Sequence, residues 1–300
     1  MPEKTTGFLK PEQLAPIRNL SMRAKFIVEG MITGQHKSPY HGFSAEFLEY
    51  RSYIEGESTR RIDWRKFAKT ERTVVRLYED ETNLYARILV DKSASMKFAS
   101  NKNGMSKFEY ARTLAASLAW ILIRQRDAVG LALFDSQIRA SVPPRSTNLQ
   151  LKTVLAHLDG AQPEHETACG NAINALAATI KKRGMTVLIS DMLDDIDALR
   201  TGLKHLRFKK QDVLLFWVLD PLELSFEQQG HLHLHDLESH TQLTIDSSTA
   251  AHFYRQEFSR HRDALLRTCK DLQIDCEIMQ TSEPFEKALL RALDKRRRLY

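Results

Sequence analysis

From residue 84 onward the chain alternates short apolar segments with amphipathic ones, and this alternation restricts its fold more than any other feature. Apolar runs of the length of buried strands occupy 85–90, 128–134, 138–142, 185–190, 212–219 and 274–279. Apolar residues at helical spacing occupy 106–124, 148–158, 171–183, 195–208, 248–270 and 284–296. Strands and helices that alternate in this way form parallel sheets covered on both faces. We therefore predict an α/β fold with a doubly wound, mostly parallel sheet.

The first 80 residues lack this alternation. Strands are expected at 45–50 and 73–78, with a short helix at 62–69 between them. Because so few segments cannot bury a core of their own, we predict that residues 1–80 form an extension packed on a sheet domain at 81–300. A hairpin insert is expected near 228–246 within that domain.

Composition indicates the cellular compartment. No run approaches the roughly 18 apolar residues that a transmembrane helix requires, and the first residues lack the apolar stretch of a secretory signal. The three cysteines, Cys169, Cys269 and Cys276, are an odd number without the spacing of a zinc site. Free cysteines are typical of a reducing compartment. We expect a cytoplasmic protein with no transmembrane segment.

The charge distribution argues against a specific nucleic-acid partner. The 44 basic residues are mixed with 38 acidic ones, so the net charge of +6 is a modest excess. The dense basic run consists of Lys295, Arg296, Arg297 and Arg298. We interpret it as a solvated tail, with weak contact to an anionic surface as the alternative. Nucleic-acid binding through this run would weaken steeply with salt.

Acidic residues end two of the predicted strands, Asp91 and Asp191. In an open parallel sheet, ligands bind beyond the carboxyl ends of the strands. Asp91 begins a D-x-S-x-S pattern in which Ser93 and Ser95 can offer two neighbouring hydroxyl ligands, and Thr167 offers a third from another loop. Mg²⁺ prefers an octahedral shell of oxygens. We predict that these five residues bind Mg²⁺ or Mn²⁺, and the alternative is that Asp91 and Ser93 merely cap a turn and a helix.

The same residues resemble the metal-ion-dependent adhesion site of von Willebrand factor A domains. The resemblance rests on the run from Asp91 to Met96, on Thr167, and on the pair Ser190-Asp191. It implies direct coordination by the two serines and coordination by Thr167 either directly or through water. It also implies mostly water-mediated contacts from the two aspartates.

A second resemblance covers more of the chain. The run EFLEYRSY at 46–53, the pair Gly56-Glu57, the run RRIDWR at 60–65 and the D-x-S-x-S pattern are similar to the bacterial domain-of-unknown-function 58 family. Gly56-Glu57 stands where the family often has Gly-Asp, and the residues before Thr167 lack the glycines common there. The resemblance implies a partnership with MoxR-type AAA+ ATPases in assembling or remodelling other proteins.

Two further clusters have open interpretations. The first consists of Arg51, Arg60, Arg61, Asp63, Trp64 and Arg65. In one interpretation Asp63 pairs with an arginine and locks the N-terminal segment against the sheet, with Trp64 as its anchor. In the other the cluster is an anion-binding or partner surface, since Trp and Arg dominate binding hot spots. The second consists of His231, His233 and His235. Their alternation with leucines fits a half-exposed strand, and zinc binding is the alternative.

No enzyme signature accompanies the predicted metal site. The sequence contains no Walker A, Gly-x-Ser-x-Gly or His-Glu-x-x-His pattern. Ser93 stands where haloacid dehalogenase-like enzymes have a second Asp. We therefore predict a non-enzymatic, Mg²⁺-dependent protein-interaction module, an adaptor or co-chaperone for a MoxR-type ATPase. Its partner, the ATPase or a client protein, would supply a carboxylate to the ion. The alternative is a metal-dependent phosphoesterase or nuclease that uses the ion as a Lewis acid.

Overall fold

The structure is a computed structural model that describes residues 9–34, 47–53, 62, 64–78, 84–226, 231–235 and 242–299. The helices are α1 (Pro11–Leu14), α2 (Leu20–Gly34), α3 (Trp64–Thr70), α4 (Lys107–Arg124), α5 (Asn148–Gly160), α6 (Cys169–Thr179), α7 (Ile196–Phe208), α8 (Pro221–Ser225), α9 (Ser247–Asp271) and α10 (Phe285–Arg298). The strands are β1 (Phe47–Ser52), β2 (Val74–Tyr78), β3 (Tyr85–Asp91), β4 (Ala128–Phe134), β5 (Ile138–Arg145), β6 (Gly184–Ser190), β7 (Gln211–Leu219), β8 (His231–His235), β9 (Gln242–Asp246) and β10 (Asp275–Gln280). The chain divides into two compact units, residues 37–83 and the remainder.

The smaller unit contains an antiparallel pair of strands, β1 and β2, and the helix α3 between them. The structure confirms these three elements to within a few residues of the sequence prediction. Trp64 is 59% exposed and meets Phe67 edge-on, with ring centroids 6.0 Å apart. The side chains of Arg51, Arg60, Arg61, Asp63 and Arg65 lie outside the described residues.

Helix α2 belongs to the larger unit and was not predicted from the sequence. Its apolar residues Leu20, Ala24, Ile27 and Met31 are buried at helical spacing and join the core that α4 also lines. Buried Arg23 donates to Glu109 of α4, with a distance of 2.8 Å between Nη1 and Oε2. The described residues 9–34 thus belong to the same compact unit as the sheet.

The central sheet confirms the predicted fold class. Its six strands lie in the order β10-β7-β6-β3-β4-β5. Every neighbouring pair is parallel except β4 and β5, which are antiparallel. Side chains of β3 alternate between two cores, with Ile88 packing among residues of α2, α4, α5 and α10 and Leu89 packing among residues of α6, α7 and α9. The sheet is therefore covered by helices on both faces.

Two glycines let α6 and α7 approach closely. A Cβ atom on Gly170 would lie 2.4 Å from the carbonyl carbon of Ala198, and one on Gly202 would lie 2.6 Å from the carbonyl oxygen of Gly170. Any larger residue at either position would force the helices apart. This contact holds the start of α6, just after Thr167, against α7. Helix α7 in turn follows the loop that begins at Asp191.

The structure corrects several element boundaries. Helix α6 ends at Thr179 rather than at 183, and the short helix α8 was not predicted. Strands β8 and β9 form the expected antiparallel hairpin, with His231 opposite Asp246. The basic run at 295–298 forms the last turn of α10, where the side chains of Arg297 and Arg298 are exposed. None of the described helices is long and apolar enough to span a bilayer.

Candidate metal-binding site

The candidate site lies at the carboxyl ends of the neighbouring strands β3 and β6. Asp91 is the last residue of β3, Asp191 directly follows β6, and both are fully buried. The Ser190 hydroxyl donates to Asp91 Oδ2 over 2.6 Å, so the two strand ends are hydrogen-bonded to each other. The sequence prediction that these two aspartates meet at one edge of the sheet agrees with this geometry.

The D-x-S-x-S loop turns back onto the strand ends. The backbone N–H of Ser93 donates to Asp91 Oδ1 over 2.8 Å, which closes a tight turn. A 3-10 helix at Ala94–Lys97 then brings the Ser93 and Ser95 hydroxyls to 3.0 Å from each other. The Ser95 hydroxyl donates to Asp191 Oδ2 over 2.7 Å. Ser93 precedes that helix without a capping hydrogen bond from its side chain, so capping does not account for its hydroxyl.

The spacing of these oxygens fits neighbouring ligands of one small cation. Oxygens that bind Mg²⁺ at 2.0–2.1 Å in an octahedral shell lie about 2.9 Å apart when adjacent. The Ser93–Ser95 and Ser95–Asp191 oxygen distances are 3.0 and 2.7 Å. Within the described ranges no group of three or more His, Cys, Asp or Glu side chains is arranged as a metal site. A site here would therefore depend on hydroxyl as well as carboxylate oxygens.

The loop that carries Thr167 lies against the D-x-S-x-S loop. The backbone N–H of Ala94 donates to the His165 carbonyl over 2.8 Å, and the N–H of Glu164 donates to the Lys92 carbonyl over 2.9 Å. Past Thr167, the N–H of Gly170 donates to Asp194 over 2.8 Å. Hydrogen bonds thus fix the chain both before and after Thr167. The role of Thr167 as a metal ligand stays a prediction.

Two charged residues that sequence reasoning missed complete the cluster. Lys107, the first residue of α4, is fully buried, and its Nζ donates to Asp191 Oδ2 over 2.8 Å and to Glu223 Oε1 over 2.6 Å. Glu223 lies in α8, where it also accepts from the backbone N–H of Asp220. A lysine in the first turn of a helix opposes the helix dipole, which is a signal that the sequence carried.

Negative charge exceeds positive charge in this buried cluster. Among the described residues that the hydrogen bonds connect, the carboxylates of Asp91, Asp191 and Glu223 face the single ammonium of Lys107. Burial and the charge of Asp191 raise the pKa of Asp91 to about 7, against the hydrogen bonds from Ser190 and Ser93. Burial lowers the pKa of Lys107, but Asp191 and Glu223 outweigh it and raise that pKa above its ordinary value. When Asp91 is ionised, two negative charges remain, and a divalent cation would balance them.

Two other strands of the central sheet are directly followed by aspartates that are matched by donors of their own. Asp135 follows β4, and its Oδ2 accepts from Arg139 Nε over 2.7 Å. Burial raises the pKa of Asp135, but the hydrogen bond and charge of Arg139 outweigh it and leave that pKa below its usual range. Asp220 follows β7 and accepts from the backbone N–H groups of Ser100 and Leu222 over 3.0 and 2.9 Å. These aspartates need no added cation.

The loop after Asp191 is held by the opposite core. Trp217 Nε1 donates to the Asp191 carbonyl over 2.6 Å, and His261 Nε2 donates to the Met192 carbonyl over 2.8 Å. Met192 is buried with φ of 51°, in the left-handed region that costs a non-glycine residue free energy. Surrounding packing therefore holds the Asp191 carboxylate in place.

Two other sequence candidates lie on α10 and on β8. The basic run pairs with carboxylates of the same chain, Lys295 with Asp275, Arg296 with Asp127, and Arg297 and Arg298 with Asp294. These ion pairs weaken the case for an anionic surface as its partner. His231, His233 and His235 lie on β8, and their side chains are outside the described residues.

The strand order and the motif at the carboxyl edge define a von Willebrand factor A-like fold. A solved aerotolerance-related membrane protein from Bacteroides fragilis, with multiple mutations to serines, aligns with a TM-score of 0.50 and 17% identity over 71% of this chain and 99% of that one. BatB from Bacteroides thetaiotaomicron aligns with a TM-score of 0.48 and 16% identity over 71% of this chain and 98% of that one. At such identities the likeness concerns the fold alone.

Sequence comparison identifies the family within this fold. Residues 49–264 match the family described as "Protein of unknown function DUF58", and the chain belongs to that family. An uncharacterized protein of Mycobacterium tuberculosis is 27% identical over 293 residues, which are 96% of this chain and 91% of that protein. A counterpart in Mycobacterium bovis matches to the same extent.

Proposed function

We propose that the chain is a non-enzymatic, Mg²⁺-dependent protein-binding module. In this proposal Asp91, Ser93, Ser95, Thr167 and Asp191 hold the ion, with Mn²⁺ as a substitute. The observation that carries it is the run of oxygens from Ser93 through Ser95 to Asp191, spaced at 3.0 and 2.7 Å. The bound ion would supply electrostatic attraction for a carboxylate.

The residues of the site favour binding over turnover. Hydroxyls are neutral, so two serine ligands leave more of the charge of a cation available to an Asp or Glu of a partner. Both site carboxylates are already engaged, Asp91 by Ser190 and Ser93 and Asp191 by Ser95 and Lys107. A hydrolase would also need a general base beside the ion, and carboxylates that hold the ion are not available for that role.

The proposed partner follows from the family resemblance. We infer that a MoxR-type AAA+ ATPase, or a client protein that such an ATPase remodels, supplies the carboxylate. The chain would then act as an adaptor or co-chaperone whose grip depends on the metal. Co-purification of the ATPase with the wild-type chain in Mg²⁺, and its loss in EDTA, is the expected result.

Calorimetric titration of Mg²⁺ and Mn²⁺ tests the metal site. The wild-type chain should bind one ion, and Ser93→Ala should lose at least tenfold in affinity because it removes a ligand, consistent with about 1.4 kcal/mol per tenfold. Ser136→Ala is the matched control, since Ser136 follows the neighbouring strand and its hydroxyl lies 3.4 Å from Asp135. Circular dichroism checks that all three fold. Wild-type affinity in Ser93→Ala, or no binding by the wild type even in saturating acetate, would contradict the proposal.

A further inference from the structure

A second charged feature lies on the α6 face of the sheet, at the amino-terminal part of β3. Arg87 is half-buried there, and its Nη1 reaches Gln211 Oε1 at 3.5 Å. Burial lowers the pKa of its guanidinium. In the part of the chain that the structure describes, no carboxylate forms an ion pair with Arg87. A partly desolvated guanidinium without an anion is costly, which points to a ligand.

Arg87 lines a cleft of about 440 Å³. Its lining includes the charged Arg87, Lys181 and Lys182 and the apolar Leu89, Ala132 and Leu176. Three of these side chains are cations and none is acidic. Neither Lys181 nor Lys182 forms an ion pair with any carboxylate among the described residues. The cleft is therefore positively charged, and its volume lies within the roughly 300–1,000 Å³ of small-molecule sites.

The side chain of Tyr85 positions Lys182 at the cleft. Lys182 Nζ donates to the Tyr85 hydroxyl over 2.9 Å and lies 4.5 Å from the centroid of the Tyr85 ring. These contacts hold the ammonium beside the mouth of the cleft without neutralising it. Arg87 and Lys182 can thus face one anionic group together.

Much of the remaining lining is apolar. Ala132 of β4 and Leu176 of α6 lie on the same face of the sheet as Leu89, and Ser141 and Thr179 add hydroxyl groups. Pro144 lies on the edge strand β5, where proline cannot donate to a further strand. The cleft therefore stays open along this edge of the sheet.

We propose that this cleft binds a small organic anion, with a carboxylate or phosphate head on Arg87 and an apolar body against Leu89, Ala132 and Leu176. A guanidinium fork matches both head groups. Arg87 stands four residues before Asp91 on the same strand, about 13 Å away at 3.3 Å per residue. The site is thus separate from the metal cluster, and it stands whether or not the chain binds Mg²⁺.

Fluorescence titration with 8-anilinonaphthalene-1-sulfonate tests the cleft. The folded wild-type chain should bind this aromatic anion saturably, and Arg87→Gln should bind it at least tenfold more weakly. Arg200→Gln is the matched control, since it removes the same charge from an exposed position on α7 outside the cleft. If Arg87→Gln does not fold, the double variant Lys181→Gln/Lys182→Gln replaces it, with a smaller loss expected. Equal affinities in wild type and folded cleft variants would overturn the proposal.

Neutral and anionic competitors separate charge recognition from apolar contact. N-phenyl-1-naphthylamine has the same ring system without the sulfonate, so its affinity should be unaffected by Arg87→Gln. Octanoate and octyl phosphate should displace the anionic dye at lower concentrations than octanol, and the better of the two identifies the preferred head group. Displacement by octanol at the same concentration as both anions would overturn the assignment of an anion site.

Discussion

The two ends of the central sheet bury carboxylates in different ways. At the amino end, Asp127 stands just before β4 and pairs with Arg296 of α10, whose Nη2 donates to Asp127 Oδ1 over 3.0 Å. The backbone N–H of Leu84 donates to the same carboxylate. At the carboxyl end, Asp91, Asp191 and Glu223 share the one ammonium of Lys107.

The two ends differ in whether the buried negative charge is matched by positive charge from the same chain. A buried pair with matched charges is complete, and its removal costs stability alone. A cluster with excess carboxylate charge is incomplete, and a cation from solution can lower its free energy. We therefore expect loss of the Asp127–Arg296 pair to affect stability alone, and the cluster at the carboxyl end to respond to a cation.

The largest effect is expected from Lys107→Met. This change leaves Asp191 and Glu223 buried without their ammonium, which should lower the free energy of unfolding by about 3–5 kcal/mol. Urea denaturation in EDTA measures the loss.

Mg²⁺ should restore more stability to Lys107→Met than it adds to the wild type, because the ion then supplies the missing charge. The double variant Lys107→Met/Glu223→Gln keeps the wild-type charge of the cluster and should lose less. Equal stabilities of wild type and Lys107→Met would show that Lys107 does not compensate the buried carboxylates, and the comparison would fail.

At the amino end, Arg296→Met should have an intermediate effect. Asp127 is buried but Arg296 is partly exposed, so the expected loss is about 1–3 kcal/mol after allowance for solvent screening. The loss should be the same in Mg²⁺ and in EDTA, since this pair has no part in metal binding. A loss that Mg²⁺ reverses would mean that the two ends are not independent.

The smallest effect is a pH dependence that belongs to Asp91. Its pKa is about 7 in the folded chain and near 3.8 when unfolded, so the folded state binds the proton more tightly. Without metal, stability should therefore rise by about 1 kcal/mol as the pH falls from 8 to 6. Asp91→Asn should be more stable than the wild type at pH 8 and should lose this part of the slope. Urea denaturation in EDTA at both pH values checks the prediction, and identical slopes in the two proteins would contradict it.

Local pattern was sufficient to predict the sheet. Strands β3, β4 and β6 are buried apolar runs whose ends could be read to within a residue, and Asp91 and Asp191 follow from where two of them stop. The D-x-S-x-S loop is equally local, because its five residues form one turn. Because β3 and β6 are parallel neighbours, their carboxyl ends and both aspartates lie at the same edge of the sheet.

Contacts between distant parts of the chain escaped prediction. Lys107 lies 84 residues before Asp191 and 116 before Glu223, and no periodicity connects them. The basic run was interpreted as a tail because its partner Asp127 lies 169 residues away from Arg296. Helix α2 was missed because its glycines weaken the helical signal, and packing on α4 outweighs that propensity.

The strand order has a consequence for synthesis on the ribosome. Five of the six strands, β3 to β7, precede β8 and β9 along the chain, and the sixth, β10, joins at the edge beside β7. A nascent chain can therefore assemble most of the sheet while α9, β10 and α10 are still inside the exit tunnel. During that interval β7, with its apolar run VLLFWVL, is an unprotected edge. A chain that stalls before residue 275 would expose this edge to aggregation, so translation through β10 also protects the protein.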